Sequence, residues 1–128
     1  MTLKQYKSYC LKKKGVQETY PFGNQTVVMK VMGKMFTISN VTAFKMSGEM
    51  KPAFHHISLK CDPELADDLK RNFKSIIPGW HLNKTHWISL IMDNSLKNKL
   101  IKSLIDQAYD IVVNKLPVKK KEELKHHA

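Results

Sequence analysis

Apolar positions along the chain follow two rhythms, one of helices and one of strands. Leu3, Tyr6, Cys10 and Leu11 recur at i, i+3, i+7 and i+8, so they share one face of a helix that Thr2 is placed to cap and Gly15 to end. Tyr20-Pro21-Phe22-Gly23 interrupts the pattern as a loop with two aromatic anchors. Residues 26–32 then alternate, with Val27, Met29 and Val31 on one side and Val28, Lys30 and Met32 on the other. Gly33-Lys34 makes a tight turn, and residues 35–39 form the return strand, with Phe36 and Ile38 on a common face. Residues 40–54 are irregular. Ser47-Gly48 reads as a turn, Pro52 as a breaker, and the whole as a long loop or an extended hairpin arm. A third strand spans residues 55–61, with Ile57, Leu59 and Cys61 inward and His56, Ser58 and Lys60 outward.

The second half repeats the alternation of types. Asp62-Pro63-Glu64 is a helix start: Asp62 caps, Pro63 suits the first turn, and Glu64 suits the positive end of the helix dipole. Leu65, Ala66, Leu69 and Phe73 form its apolar stripe. After Pro78-Gly79, residues 80–83 and 86–92 read as short strands joined near Asn83-Lys84, and Asp93-Asn94-Ser95 as a turn and cap. The last helix is predicted over residues 96–115, with Leu100, Ile101, Leu104, Ile105, Ala108, Ile111 and Val112 on its core face and Pro117 as its stop. The order α-β-β-β-α-β-β-α, with hairpin connections, predicts an α+β domain on a mainly antiparallel sheet. One domain is expected over residues 1–117, followed by a Lys-rich mobile tail over 118–128.

Charge changes this picture more than composition does. In 128 residues, 22 Lys plus Arg face 11 Asp plus Glu, a formal net charge of +11. Such a field attracts polyanions such as nucleic acid, although a Lys-rich soluble surface has the same signature. Arg71 alone is Arg, so the bidentate reading of guanine is nearly excluded. There is no apolar run long enough to cross a membrane, no apolar leader and no cysteine framework, so a cytoplasmic protein without a membrane partner is expected.

Several strings together resemble the MmcQ/YjbR family. They are Tyr20-Pro21-Phe22-Gly23; Lys30-Val31, Gly33-Lys34-Met35-Phe36; Leu59-Lys60-Cys61-Asp62-Pro63-Glu64; Ile77-Pro78-Gly79-Trp80-His81-Leu82-Asn83-Lys84 with His86-Trp87; and Leu104-Ile105-Asp106 with Tyr109-Asp110. The similarity runs from the first helix to about Leu116. The resemblance implies a two-layer domain like the secretion-chaperone fold. It also implies a double-wing DNA-binding role, in which β-hairpin wings flank a helix. The chain departs from the family pattern in a longer connection between Asn40 and His55, and in Trp80 where the family often has Tyr.

The candidate chemistry follows from the two turns. Around the second, Trp80, His81, Asn83, Lys84 and His86 form a candidate wing: Lys84 for phosphate, Asn83 for a backbone or base edge, an indole for sugar or base. The alternative is a hairpin with core indoles and ordinary turn chemistry. Trp87 fits that alternative better, and Trp80 fits either reading. Lys30, Gly33 and Lys34 form the other candidate wing, and Lys60 extends the same surface. Clustering of Lys30, Lys34, Lys60 and Lys84 favours nucleic acid, in particular double-stranded DNA; scatter over opposite faces favours a merely solvated surface. A protein-interaction or adaptor module is the alternative class, and a small-ligand pocket near Phe22, Trp80 and Trp87 a third reading. The histidine and cysteine spacings match no structural zinc site, so no metal or cofactor is expected. No G-x-S-x-G, P-loop or G-x-G-x-x-G occurs, so no catalytic role is expected. Cys61 precedes a helix cap but alternates with Ile57 and Leu59, which predicts packing rather than reactivity. Asp106 and Asp110 are expected as a solvated face or as hydrogen-bond partners.

Overall fold

The computed structural model describes residues 1–40, 45–46, 49–50, 55–80 and 82–127. Helix α1 (Leu3–Leu11) starts in a reciprocal cap: Thr2 Oγ1 accepts from Gln5 N at 3.1 Å, and Gln5 Oε1 accepts from Thr2 N at 2.9 Å. Helix α2 (Pro63–Asn72) starts as its sequence dictates, with Asp62 Oδ1 accepting from Glu64 N at 2.9 Å and Pro63 in the first turn. Leu11 is 45% exposed: it lies roughly 100° around the helix from buried Cys10, so the apolar face is narrower than predicted.

Six strands form one sheet in the order β1-β2-β3-β6-β8-β7, every neighbouring pair antiparallel. They are β1 (Val16–Thr19), β2 (Thr26–Val31), β3 (Lys34–Asn40), β6 (His56–Lys60), β7 (Ile76–Pro78) and β8 (Trp87–Ile91). Between β3 and β6, β4 (Lys45–Met46) and β5 (Glu49–Met50) pair separately, so the described part of that segment is a hairpin arm. The expected turn at Ser47-Gly48 and breaker at Pro52 lie outside the described residues. Helices α1, α2, α3 (Asn98–Asn114) and α4 (Val118–Lys125) share one apolar cluster with the sheet. It joins Tyr6, Leu69, Leu104 and Leu124 to Ile57 and Leu90. The four helices of the described residues therefore cover the same face, and the fold is the expected two-layer α+β domain. Among the described residues no helix is long and apolar enough to cross a membrane.

Six local expectations are corrected. Strand β1 was not predicted at all. The strand before the Trp80 turn is Ile76–Pro78 rather than 80–83; Pro78 lacks an N–H and ends an edge strand, where no donor is needed. Tyr20 and Phe22 are exposed rather than anchored. Asp93 closes its own turn, accepting from Ser95 N at 3.0 Å, while α3 begins later, at Asn98, with no side-chain cap. The expected mobile tail contains helix α4, because Leu124 finds a buried seat in the core.

The sixth concerns β3. Met29 pairs with Thr37 and Lys30 with Met35, so Phe36 has no partner across β2 and forms a bulge. The extra residue reverses the alternation. Phe36 joins the helix-side core, where its ring meets Tyr109 edge-on at 5.6 Å, and Ile38 joins Val28 and Trp87 on the opposite face. Thr37 also faces the helices, accepting from buried Tyr6 Oη at 3.2 Å and donating to the Ser58 carbonyl at 2.8 Å. These bonds tie α1 to the sheet and leave neither the Tyr6 nor the Thr37 hydroxyl unpaired.

If α4 is docked, Leu124→Ala leaves a hole in the core. Urea unfolding is expected to show a loss of about 2 kcal/mol; an unchanged midpoint would mean that residues beyond Pro117 add nothing to the fold.

Candidate nucleic-acid interface

With every helix on one face, the strand residues of opposite parity project from the other. On β2 these include Val28 and Lys30, on β6 His56, Ser58 and Lys60, and on β8 Trp87 and Ser89. Lys30 pairs with Gln17 and Met35, and Lys60 with Trp87. Strand β3 lies between β2 and β6, so Lys30 and Lys60 stand two strand spacings apart, about 10 Å, at the same end of the sheet. Met35, turned outward by the bulge, lies between them.

Two turns extend that end. Lys34 follows the β2–β3 turn, whose central residues Met32 and Gly33 both have positive φ, 50° and 82°. This is the two-residue hairpin geometry that matches strand twist, and it is why a glycine stands at position 33. On the other side, Asn83 Oδ1 accepts from Thr85 N at 2.9 Å and from His86 N at 3.3 Å, and Trp87 N donates to the Asn83 carbonyl at 3.0 Å. Asn83 is thus a turn former. Cys61 N donates to the His86 carbonyl at 2.9 Å, which fixes the Lys84 turn against the end of β6. The structure brings Lys30, Lys60 and the Lys84 turn to one end of the open face; Lys34 stands at the same end of the sheet, but it pairs with Val31 of the helix-side core, so its side chain leaves from the opposite face. Among the described residues, none of the four pairs with a carboxylate, whereas Lys7, Lys13 and Lys70 do.

The indoles part company. Trp87 is 5% exposed and packs with Val28 and Ile38, while Lys60 Nζ sits 5.7 Å from its ring centroid. Trp80 is half-buried, and its backbone N donates to Ser89 Oγ at 2.9 Å; Ser89 in turn bonds Ser58 Oγ at 2.6 Å. His56 and Ser58 face away from the helices as predicted but are buried. His81 lies outside the described residues, and His86 is exposed.

The remaining candidates take structural places. Burial pushes the Cys61 thiol up to about 11, with Asp62 adding and Lys70 opposing, so it is a protonated packing group at neutral pH. Asp106 accepts from Tyr9 Oη at 2.7 Å and Lys13 Nζ at 2.6 Å, joining α3 to α1. Among the described residues no three His, Cys, Asp or Glu side chains converge as a metal site.

The architecture defines a class: a six-stranded antiparallel sheet with helices on one face and a lysine-bearing end on the other. Residues 11–111 match the family model YjbR, and the chain belongs to that family. It is 33% identical over 124 residues to YjbR of Escherichia coli K12, covering 97% of this chain and 98% of that protein. It is 35% identical over 74 residues to YyaQ of Bacillus subtilis, covering 58% of this chain and 62% of that one. The crystal structure of Deinococcus radiodurans protein DR2400 matches with a TM-score of 0.81 at 30% identity, over 97% of this chain and 88% of that one. A Pseudomonas syringae crystal structure matches at 0.72 with 25% identity, over 87% and 98%.

The Trp80 turn depends on Gly79, whose backbone crosses β8 so closely that a Cβ there would lie 2.7 Å from Trp87 Cβ. Gly79→Ala is expected to destabilise the fold by about 1–3 kcal/mol and to change the tryptophan emission. A variant with the parent's melting curve and spectrum would contradict the close crossing.

Proposed function

We propose that the protein binds the phosphate backbone of nucleic acid, double-stranded DNA in particular, through the open end of its sheet. The observation that supports this most is the placing of Lys30, Lys60 and Lys84 at one end of the open face, with Lys34 at the same end on the helix side, none of them paired with a carboxylate among the described residues. The Met32-Gly33 hairpin and the Asn83–His86 turn stand on either side of β6 and serve as the two wings. Ammonium groups on this scaffold meet phosphates as point charges, so binding carries little sequence preference. No catalytic group and no cofactor take part in this reading.

Four phosphate contacts give a log K against log[salt] slope of about −4, at 0.9 per contact. Lys30→Gln with Lys60→Gln is expected to weaken duplex binding at every sequence and to reduce the slope to about −2, read by fluorescence anisotropy at several salt concentrations. An unchanged slope, or no binding at low salt, would reject the reading. The alternative, a protein-interaction module, draws on exposed Tyr20 and Phe22. It predicts a partner that is retained in high salt, where a phosphate-held complex dissociates.

A further inference from the structure

Lys30 and Lys60 occupy one end of the open sheet face, and a cavity occupies the other. It has a volume of about 250 Å³. Its floor is Ile38, Asn40 and His56, and its walls are Phe22, Trp80 and Leu82. Three features separate it from an ordinary surface dip. First, Phe22 is 70% exposed at its edge, an aromatic ring left largely in water. Second, the Trp80 wall is held in place: its backbone is tied through Ser89 to Ser58, and its ring meets His56 edge-on at 6.3 Å. Third, Asn40 donates from Nδ2 to Thr26 Oγ1 at 3.0 Å, while its buried Oδ1 has no hydrogen-bond partner among the described residues. A buried acceptor without a donor is unfavourable until something supplies one.

These features specify the occupant. The volume is below the range of about 300–1,000 Å³ usual for drug-sized ligands, so it suits one or two fused rings. Flat aromatic walls favour a flat ring, the carbonyl oxygen of Asn40 asks for an N–H, and among the described residues the lining holds no lysine, arginine or carboxylate. We infer that the cavity binds a neutral planar heterocycle with an N–H donor, of the nucleobase kind.

This inference rests on the nucleic-acid reading of the same face and refines it. Thr26 and Lys30 are four residues apart on β2, about 13 Å along the strand. The phosphates of a single strand crossing the face meet the lysines while one unstacked base enters the cavity. A duplex, with its bases paired inside, meets only the lysines. The site therefore adds affinity for unpaired nucleic acid to a charge term that both forms share.

The test compares fluorescein-labelled oligothymidylate of twelve nucleotides with a twelve-base-pair duplex, using the full chain and its Phe22→Ala, Asn40→Leu and Lys30→Gln/Lys60→Gln variants. Thymidine alone is titrated against tryptophan emission. Phe22 is exposed, so its truncation leaves the fold in place. Phe22→Ala is expected to lower oligothymidylate affinity about tenfold and to leave duplex affinity within a factor of about two. Asn40→Leu is expected to act in the same direction, and the double lysine variant to weaken both ligands. Quenching by thymidine with oligothymidylate binding indifferent to Phe22 would assign the cavity to a free base or nucleoside, and so supports the ligand chemistry while rejecting the strand as its source. Duplex binding by the parent, together with no effect of Phe22→Ala and no response to thymidine, would overturn the cavity site and leave the phosphate reading standing. Binding of neither nucleic acid would remove the phosphate reading, and the thymidine titration would then decide the cavity by itself.

Discussion

Phe36 is the residue that β3 has in excess of its partner β2, and its placement settles what each face of the sheet carries. Turned toward the helices, it fills the core beside Tyr109. The parity change turns Met35 outward between Lys30 and Lys60, and leaves Ile38 and Asn40 outward at the far end. Strict alternation would instead expose Phe36 with Ile38 and bury Met35. The bulge thus serves the core and the open face together, which is the use to which such irregularities are commonly put.

One-sided coverage is the second constraint. Among the described residues every helix is used on one face, so the other must be closed by short-range means. Trp87, Val28 and Ile38 form a small apolar cluster there, and the chain after Gly79 folds back over it. What remains open is divided in kind: ammonium groups toward the Gly33 and Lys84 turns, and a neutral aromatic-walled cavity toward Asn40. Long-range charge and short-range stacking differ in salt dependence, so a surface carrying both separates attraction from discrimination.

Features set by neighbouring residues were legible in the sequence. The caps at Thr2 and Asp62, the Gly33 turn, the alternation of β6 and the stripe of α3 all rest on contacts within a few positions. The misses share a different origin. Strand β1, Val-Gln-Glu-Thr, has no apolar rhythm and exists by pairing with β2. Helix α4 is nearly all charged and is held by one distant seat for Leu124. The bulge at Phe36 leaves no local trace, because it is defined by the partner strand. Of the site, the lysines were readable from their turns and strand parity. The cavity was readable in part: a small-ligand pocket was expected near Phe22, Trp80 and Trp87, and Phe22 and Trp80 do line it, whereas Trp87 is interior and Asn40 and His56, far from them in sequence, were not foreseen in it.

The central claim is that the sheet's open face, and not the lysine-bearing surfaces of α1 and α3, meets nucleic acid. Amide chemical-shift mapping of the isotopically labelled protein, titrated with a short DNA at low salt, tests it most directly. The account predicts perturbations centred on Lys30, Met35, Lys60 and Lys84, with α1 and α3 quiet. Perturbations confined to the helical layer would contradict it.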